Sequence, residues 1–230
     1  MFRILIALSS VLMALAGTAS AGPVDLVSAL RYVSASTSVV DVESDLQDSD
    51  GGFVQVSEFD PFDVGVGGAV SFADGNGNVA AGQTSTFDVT TSGLQVRATG
   101  SVGMGGSSPG FPIETEVQGS SYLMATFFVT TTCQYDLSGT IAEFDRGVTS
   151  VQLDGPGSFN FSESGSTSIE ESGFLSPGGY NLTIEVQGGD FFMGGSYFAS
   201  GEYDLTLTIA DPAVPVNEAS FGCLKTSFQE

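Results

Sequence analysis

The sequence contains no histidine and no tryptophan, and it sets 5 lysines and arginines against 27 aspartates and glutamates. Without histidine the chain cannot build a Ser-His-Asp or Cys-His nucleophile, nor a histidine-liganded zinc or iron centre. Five basic residues cannot form the cationic face that nucleic acid or an anionic membrane demands. A Ser-Lys nucleophile would have to use Lys225, the single lysine, in an aperiodic C-terminal stretch. Paired-carboxylate enzymes, calcium sites and plain binding scaffolds are the chemistries left standing.

What is present begins with an address. Arg3 is the only charge ahead of an apolar run from Ile4 to Ala16, too short to cross a bilayer as a helix. Ala19-Ser20-Ala21 follows with small residues at the −3 and −1 positions of a signal-peptidase site. We therefore expect residues 1–21 to be a cleaved signal peptide, with Ala19 and Ala21 as the cleavage residues, and the product to be secreted or held at the cell surface. The segment carries one Arg and no acid, so its loss takes the formal charge from −22 to −23. So acidic a surface stays soluble and repels other acidic polymers. Cys133 shares the parity of Tyr135 and Leu137 and is expected to face a core, whereas Cys223 lies in a polar tail. A Cys133–Cys223 bridge and two separate thiols both remain open.

Period-2 alternation dominates the rest. Leu94, Val96 and Ala98 alternate with Gln95, Arg97 and Thr99; Tyr180, Leu182, Ile184 and Val186 alternate with Asn181, Thr183 and Glu185. Tyr203 to Ile209 repeats the pattern, and Leu123, Ala125, Phe127 and Val129 open a longer run. One oily face and one Ser/Thr/Asp/Gln face is what antiparallel sheets with one buried side require. No convincing 3.6-residue stripe follows the leader, apart from a turn or two of helix near Val24 to Leu30. Glycine-rich stretches at 74–78, 104–107 and 187–190 read as turns between many short strands. The fold class is thus all-β: an antiparallel two-sheet β-sandwich, jelly-roll-like, with 18 Phe and 6 Tyr filling its core. A single β-sandwich domain is expected over residues 22–210, followed by a mobile C-terminal tail over 211–230 that opens with Asp211-Pro212.

Eight acids and no base occupy the window from Asp41 to Asp63. Clustered carboxylates suit Ca²⁺, which takes six to eight oxygen ligands. In an EF-hand frame with Gly51 at position 6, Asp48 and Asp50 fall at positions 3 and 5, but Leu46 takes the first ligand position and Ser57 the last. A second frame puts Asp74, Asn76 and Asn78 at positions 1, 3 and 5, with Val79 in place of the turn glycine. Asp48, Asp50, Asp74, Asn76 and Asn78 are therefore candidates only for a looser calcium site, and a solvated acidic loop is preferred. No pair of carboxylates is singled out for glycoside hydrolysis, so no catalytic residue is assigned. Aromatic platforms for sugar would have to come from Tyr and Phe. Phe191-Phe192, and Phe59 with Phe62 around Pro61, cannot all point inward. The sequons at Asn160 and Asn181 fall on outward parity.

Tyr135-Asp136-Leu137-Ser138-Gly139, Leu175-Ser176-Pro177-Gly178-Gly179-Tyr180-Asn181-Leu182, and the strand Tyr203 to Ile209 running into Val214-Pro215 together resemble the ectodomain of bacterial PEP-CTERM exported proteins. The likeness covers most of residues 31–215. The family's Val-Pro-Glu-Pro, transmembrane and Arg-rich sorting tail has no counterpart here: Val214-Pro215 is followed by Val216-Asn217. The resemblance implies a secreted or surface protein linked to extracellular matrix or exopolysaccharide, of a kind usually with no known enzymatic activity.

The sequence thus leads us to expect a secreted, non-enzymatic β-sandwich with a structural or adhesive role in the matrix or at the cell surface. A calcium-dependent carbohydrate-binding module is the alternative, and a glycoside-active enzyme using paired carboxylates the second. No cofactor is expected unless it is calcium. The expected partners are extracellular polysaccharide or other matrix proteins, with no nucleic acid and no stable membrane insertion.

Overall fold

A computed structural model describes residues 22–143 and 145–212. The expected signal peptide, with Ala19 and Ala21, lies outside the described residues, as does the tail beyond 212 with Cys223.

Twelve strands account for the fold: β1 (Val24–Asp41), β2 (Leu46–Val56), β3 (Phe62–Phe72), β4 (Gly75–Thr90), β5 (Gly93–Ser108), β6 (Ile113–Val129), β7 (Cys133–Ala142), β8 (Gly147–Asp154), β9 (Asn160–Ser164), β10 (Thr167–Leu175), β11 (Gly178–Phe192) and β12 (Gly195–Ala210). They make two six-stranded sheets, ordered β2-β1-β6-β11-β8-β9 and β10-β7-β12-β5-β4-β3. Every pairing is antiparallel. The all-β sandwich read from alternation is the fold observed.

The oily parities of the two sheets meet as one core. Leu123, Ala125, Phe127 and Val129 of β6, and Leu182, Ile184 and Val186 of β11, pack against Leu94, Val96 and Ala98 of β5 and Leu205, Leu207 and Ile209 of β12. The rings of Phe127 and Tyr180 stack at 5.6 Å, and Phe159 meets Tyr180 edge-on. Cys133 is buried as its parity implies, with its thiol donating to the Thr131 carbonyl. Burial pushes that thiol above its ordinary pKa.

Three local expectations give way. Residues 24–30 are the start of an 18-residue strand, not a turn of helix. A bulge between Leu26 and Ser28 shifts the register there and breaks the alternation. The strands are mostly long, because the glycine-rich stretches lie inside them. Residues 75–78 belong to β4, 104–107 to β5 and 187–190 to β11. Gly106 shows why glycine is needed within a strand: a Cβ there would come within 2.9 Å of the Phe192 ring and 2.5 Å of the Asn76 carbonyl. Of the 74–78 stretch only Asp74 lies in the β3–β4 turn, which it makes with Ala73, both left-handed at φ 66° and 48° respectively.

The core also holds a cation. Arg31, on β1, is 1% exposed. Its guanidinium lies 5.1 Å from the centroids of both Phe62 and Phe87. It donates to the Asp60 carbonyl at 2.8 Å and to the Glu58 carbonyl. The segment from 57 to 61, which carries the chain from the first sheet to the second, is thereby fastened to β1 from within. Burial pulls the Arg31 pKa down, while the charges of Asp60 and Glu58 push it back up.

Both ends of the described chain reach one pole of the sandwich. The Pro23 carbonyl accepts hydrogen bonds from the Thr130 amide and hydroxyl, and Asp211 donates from its backbone to Ser92. Cys133 lies at the same pole, 4.0 Å from the Pro23 oxygen and within the field of Asp211.

Candidate functional site

The outer face of the first sheet carries a groove. In cross-strand register, Gln55 of β2, Tyr32 of β1, Tyr122 of β6, Glu185 of β11 and Ser150 of β8 form one row. The next row is Phe53, Ser34, Ser120, Gln187 and Val148, and beyond it stand Ser36, Gln118 and Gly189. The middle of the face is thus floored by serine and glycine, while Tyr32, Phe53, Val148 and Phe191 rise around it. Small residues between large ones leave a trough of about 1270 Å³.

One wall is aromatic. Tyr32 and Tyr122 stack at 4.8 Å with their planes 16° apart, and Phe53 tilts against Tyr32 at 6.1 Å. Phe53 is 62% exposed. Burial pushes both tyrosine hydroxyls above their ordinary pKa, and the nearby Glu185 carboxylate adds to that. Glu185 is itself pushed up by burial. The far wall is polar: Arg146, in the β7–β8 connection, forms an ion pair with Asp190 and lies over the Tyr197 ring at 5.5 Å. The walls therefore offer ring faces and edges, and the floor offers hydroxyls and carboxamides that both donate and accept.

The residues singled out for calcium lie elsewhere, in two groups on different sheets. Asp48 and Asp50 are exposed on β2. Asp48 accepts from the Ser49 amide, and Asp50 accepts from the amides of Gly51 and Ala69. Asp74 is in the β3–β4 turn, and Asn76 and Asn78 follow on β4, with Asn76 donating to Ser107 Oγ at 2.6 Å. The acids of the 41–63 window splay. Asp41 caps the β1–β2 turn through the amides of Glu43 and Ser44, while Asp63, on β3 of the second sheet, accepts from its cross-strand neighbour Thr84 on β4. Among the described residues, no three His, Cys, Asp or Glu side chains gather as a metal ion requires.

Each aromatic pair divides as parity requires. Phe62 is buried and Phe59 turns out to meet Phe87 edge-on; Phe192 packs on the core and Phe191 lines the groove. Sequence reasoning missed Tyr32, Phe53 and Tyr122. The signal for Tyr122 was available, since Leu123, Ala125 and Phe127 face inward and their neighbour must face out. Among the described residues no helix is long and apolar enough to cross a membrane. No protein-family model matches the chain, and no curated protein does either.

Proposed function

We propose that the chain is a secreted, non-enzymatic β-sandwich that adheres to extracellular polysaccharide through the groove on its first sheet. The observation that carries this reading is the aromatic wall of Tyr32 and Phe53, backed by Tyr122 stacked on Tyr32, standing over a floor of serine and glutamine. A sugar ring has apolar C–H faces that pack on aromatic carbon and a rim of hydroxyls that pair with such side chains. The export signal at the N-terminus supports an extracellular setting, as does the resemblance to exported matrix proteins.

Of the carboxylates on this face, Asp190 is tied up by Arg146, and the separation of Glu116 from Glu185 supports a binding role over hydrolysis. Glu116 and Tyr122, the neighbour of Glu185, are six residues apart on β6, about 20 Å at the rise of an extended strand. A glycosidase pair is separated by roughly 5–9.5 Å.

Affinity electrophoresis through gels containing soluble polysaccharides tests the proposal. The chain should be retarded by at least one of them, and both Tyr32→Ala and Phe53→Ala should relieve the retardation about tenfold. Retardation that both variants keep at the strength of the parent protein would place the binding elsewhere.

A further inference from the structure

We infer that the groove takes an uncharged polysaccharide, several sugar units at a time. The inference rests on the reading of the groove as a glycan site and narrows its ligand. Recognition of uronate, sulfate or phosphate groups calls for arginine or lysine free to make charge-assisted hydrogen bonds. Three cations occur among the described residues. Arg31 is sealed in the core, Arg97 is on β5 in the second sheet, and Arg146 alone reaches the groove. Arg146 keeps its side chain 55% exposed, but its Nη1 pairs with both oxygens of Asp190, whose side chain is 7% exposed, and it is stacked over Tyr197. Its charge is cancelled within the wall, and Glu116 leaves the lining with a net negative charge.

The remaining polar lining includes Ser34, Ser36, Gln55, Gln118, Ser120 and Gln187, which are neutral and able both to donate and to accept, as sugar hydroxyls are. Beyond the groove, a chain of formal charge −22 repels a polyanion over a Debye length, about 10 Å at 0.1 M salt. Size decides the second half of the inference. A volume of about 1270 Å³ exceeds the roughly 300–1,000 Å³ of pockets that enclose one small molecule, so the trough suits a run of linked sugars.

Polymers that share a backbone and differ in the charge of their substituents provide the test: hydroxyethylcellulose against carboxymethylcellulose, and dextran against dextran sulfate. Affinity electrophoresis at low and at 0.5 M salt should show retention by a neutral member, at least tenfold weaker retention by its charged counterpart, and loss of retention in Phe53→Ala. Glu116→Lys should narrow the gap by strengthening the charged counterpart. If a charged member is held as well as or better than its neutral twin through the same groove, the inference fails and the proposed function survives. If no polymer is held, or if retention persists in the Tyr32→Ala/Phe53→Ala double variant, the proposed function fails and the inference with it.

Discussion

The hydroxyl of Tyr203 on β12 meets the hydroxyl of Ser121 on β6 at 3.1 Å, a side-chain hydrogen bond between the two sheets in the middle of the core. Burial drives the Tyr203 pKa well above its ordinary value, so this contact is between neutral hydroxyls. Tyr203→Phe leaves the Ser121 hydroxyl buried without its partner and should cost about 1–2 kcal/mol in urea unfolding. Ser121→Ala should cost a similar amount. The double variant should lose less than the two single losses added together, because the second change removes an orphan already made.

The Tyr203 ring also sets a limit on the facing strand. A Cβ on Gly100 would come within 2.3 Å of that ring and 2.5 Å of Ser121 Oγ. Gly100→Ala should therefore destabilise by about 1–3 kcal/mol through overpacking. Gly103, three residues on along β5, has nothing within 4 Å of the same position. Gly103→Ala should change stability by less than about 1 kcal/mol. Equal losses in the two variants, measured by thermal unfolding, would contradict the packing described.

Arg31 is expected to be the most sensitive single position. Arg31→Ala empties the space between Phe62 and Phe87 and deprives the carbonyls of Glu58 and Asp60 of their donor. The expected loss is about 3 kcal/mol or more. Arg31→Lys keeps the charge but not the planar fork that stacks on two rings and reaches two carbonyls, so it should recover only part of the loss. The midpoint of urea unfolding reads both.

Glu185 gives the fold a pH dependence of known sign. Its pKa is raised on folding from an ordinary 4.5 by burial. The folded state thus holds that proton more tightly than the unfolded chain does. Its contribution is full below the unfolded pKa and is lost as pH rises through the folded one. Glu185→Gln should raise the melting temperature at pH 7, and the difference from the parent protein should shrink as pH falls below 4.5. A gap that stays constant from pH 3 to pH 7 would show that burial is not the cause.

The legible parts of this molecule are those where alternation runs unbroken. Tyr180 to Val186 and Tyr203 to Ile209 could be assigned inward and outward residue by residue, and Cys133 with them. The first half of β1 could not, because the bulge at Leu26 and Ser28 adds a residue and reverses the parity. Arg31 was hidden for another reason: it shares the inward parity of Ala29, Val33, Ala35, Thr37 and Val39 beyond the bulge, but a charged side chain in a strand ordinarily faces water. The groove was illegible for a different reason. Period-2 reasoning assigns Tyr122 to a face but not to a neighbour. The register that sets Tyr32 beside Tyr122 joins strands about ninety residues apart in the chain. The glycine stretches misled because glycine serves both turns and close strand contacts, and local sequence does not distinguish the two.

Because Pro23 and Asp211 share a pole, any tether or fused module joined before Gly22 or after Pro212 departs from the same side of the sandwich. The groove's β6 residues, 116–120, lie about 30–43 Å along that strand from Val129 at this pole. An anchored copy would hold the groove away from the attachment point, whichever end of the chain is anchored. The same closeness of ends makes circular permutation feasible, with new termini opened in the Pro109–Pro112 connection at the opposite pole.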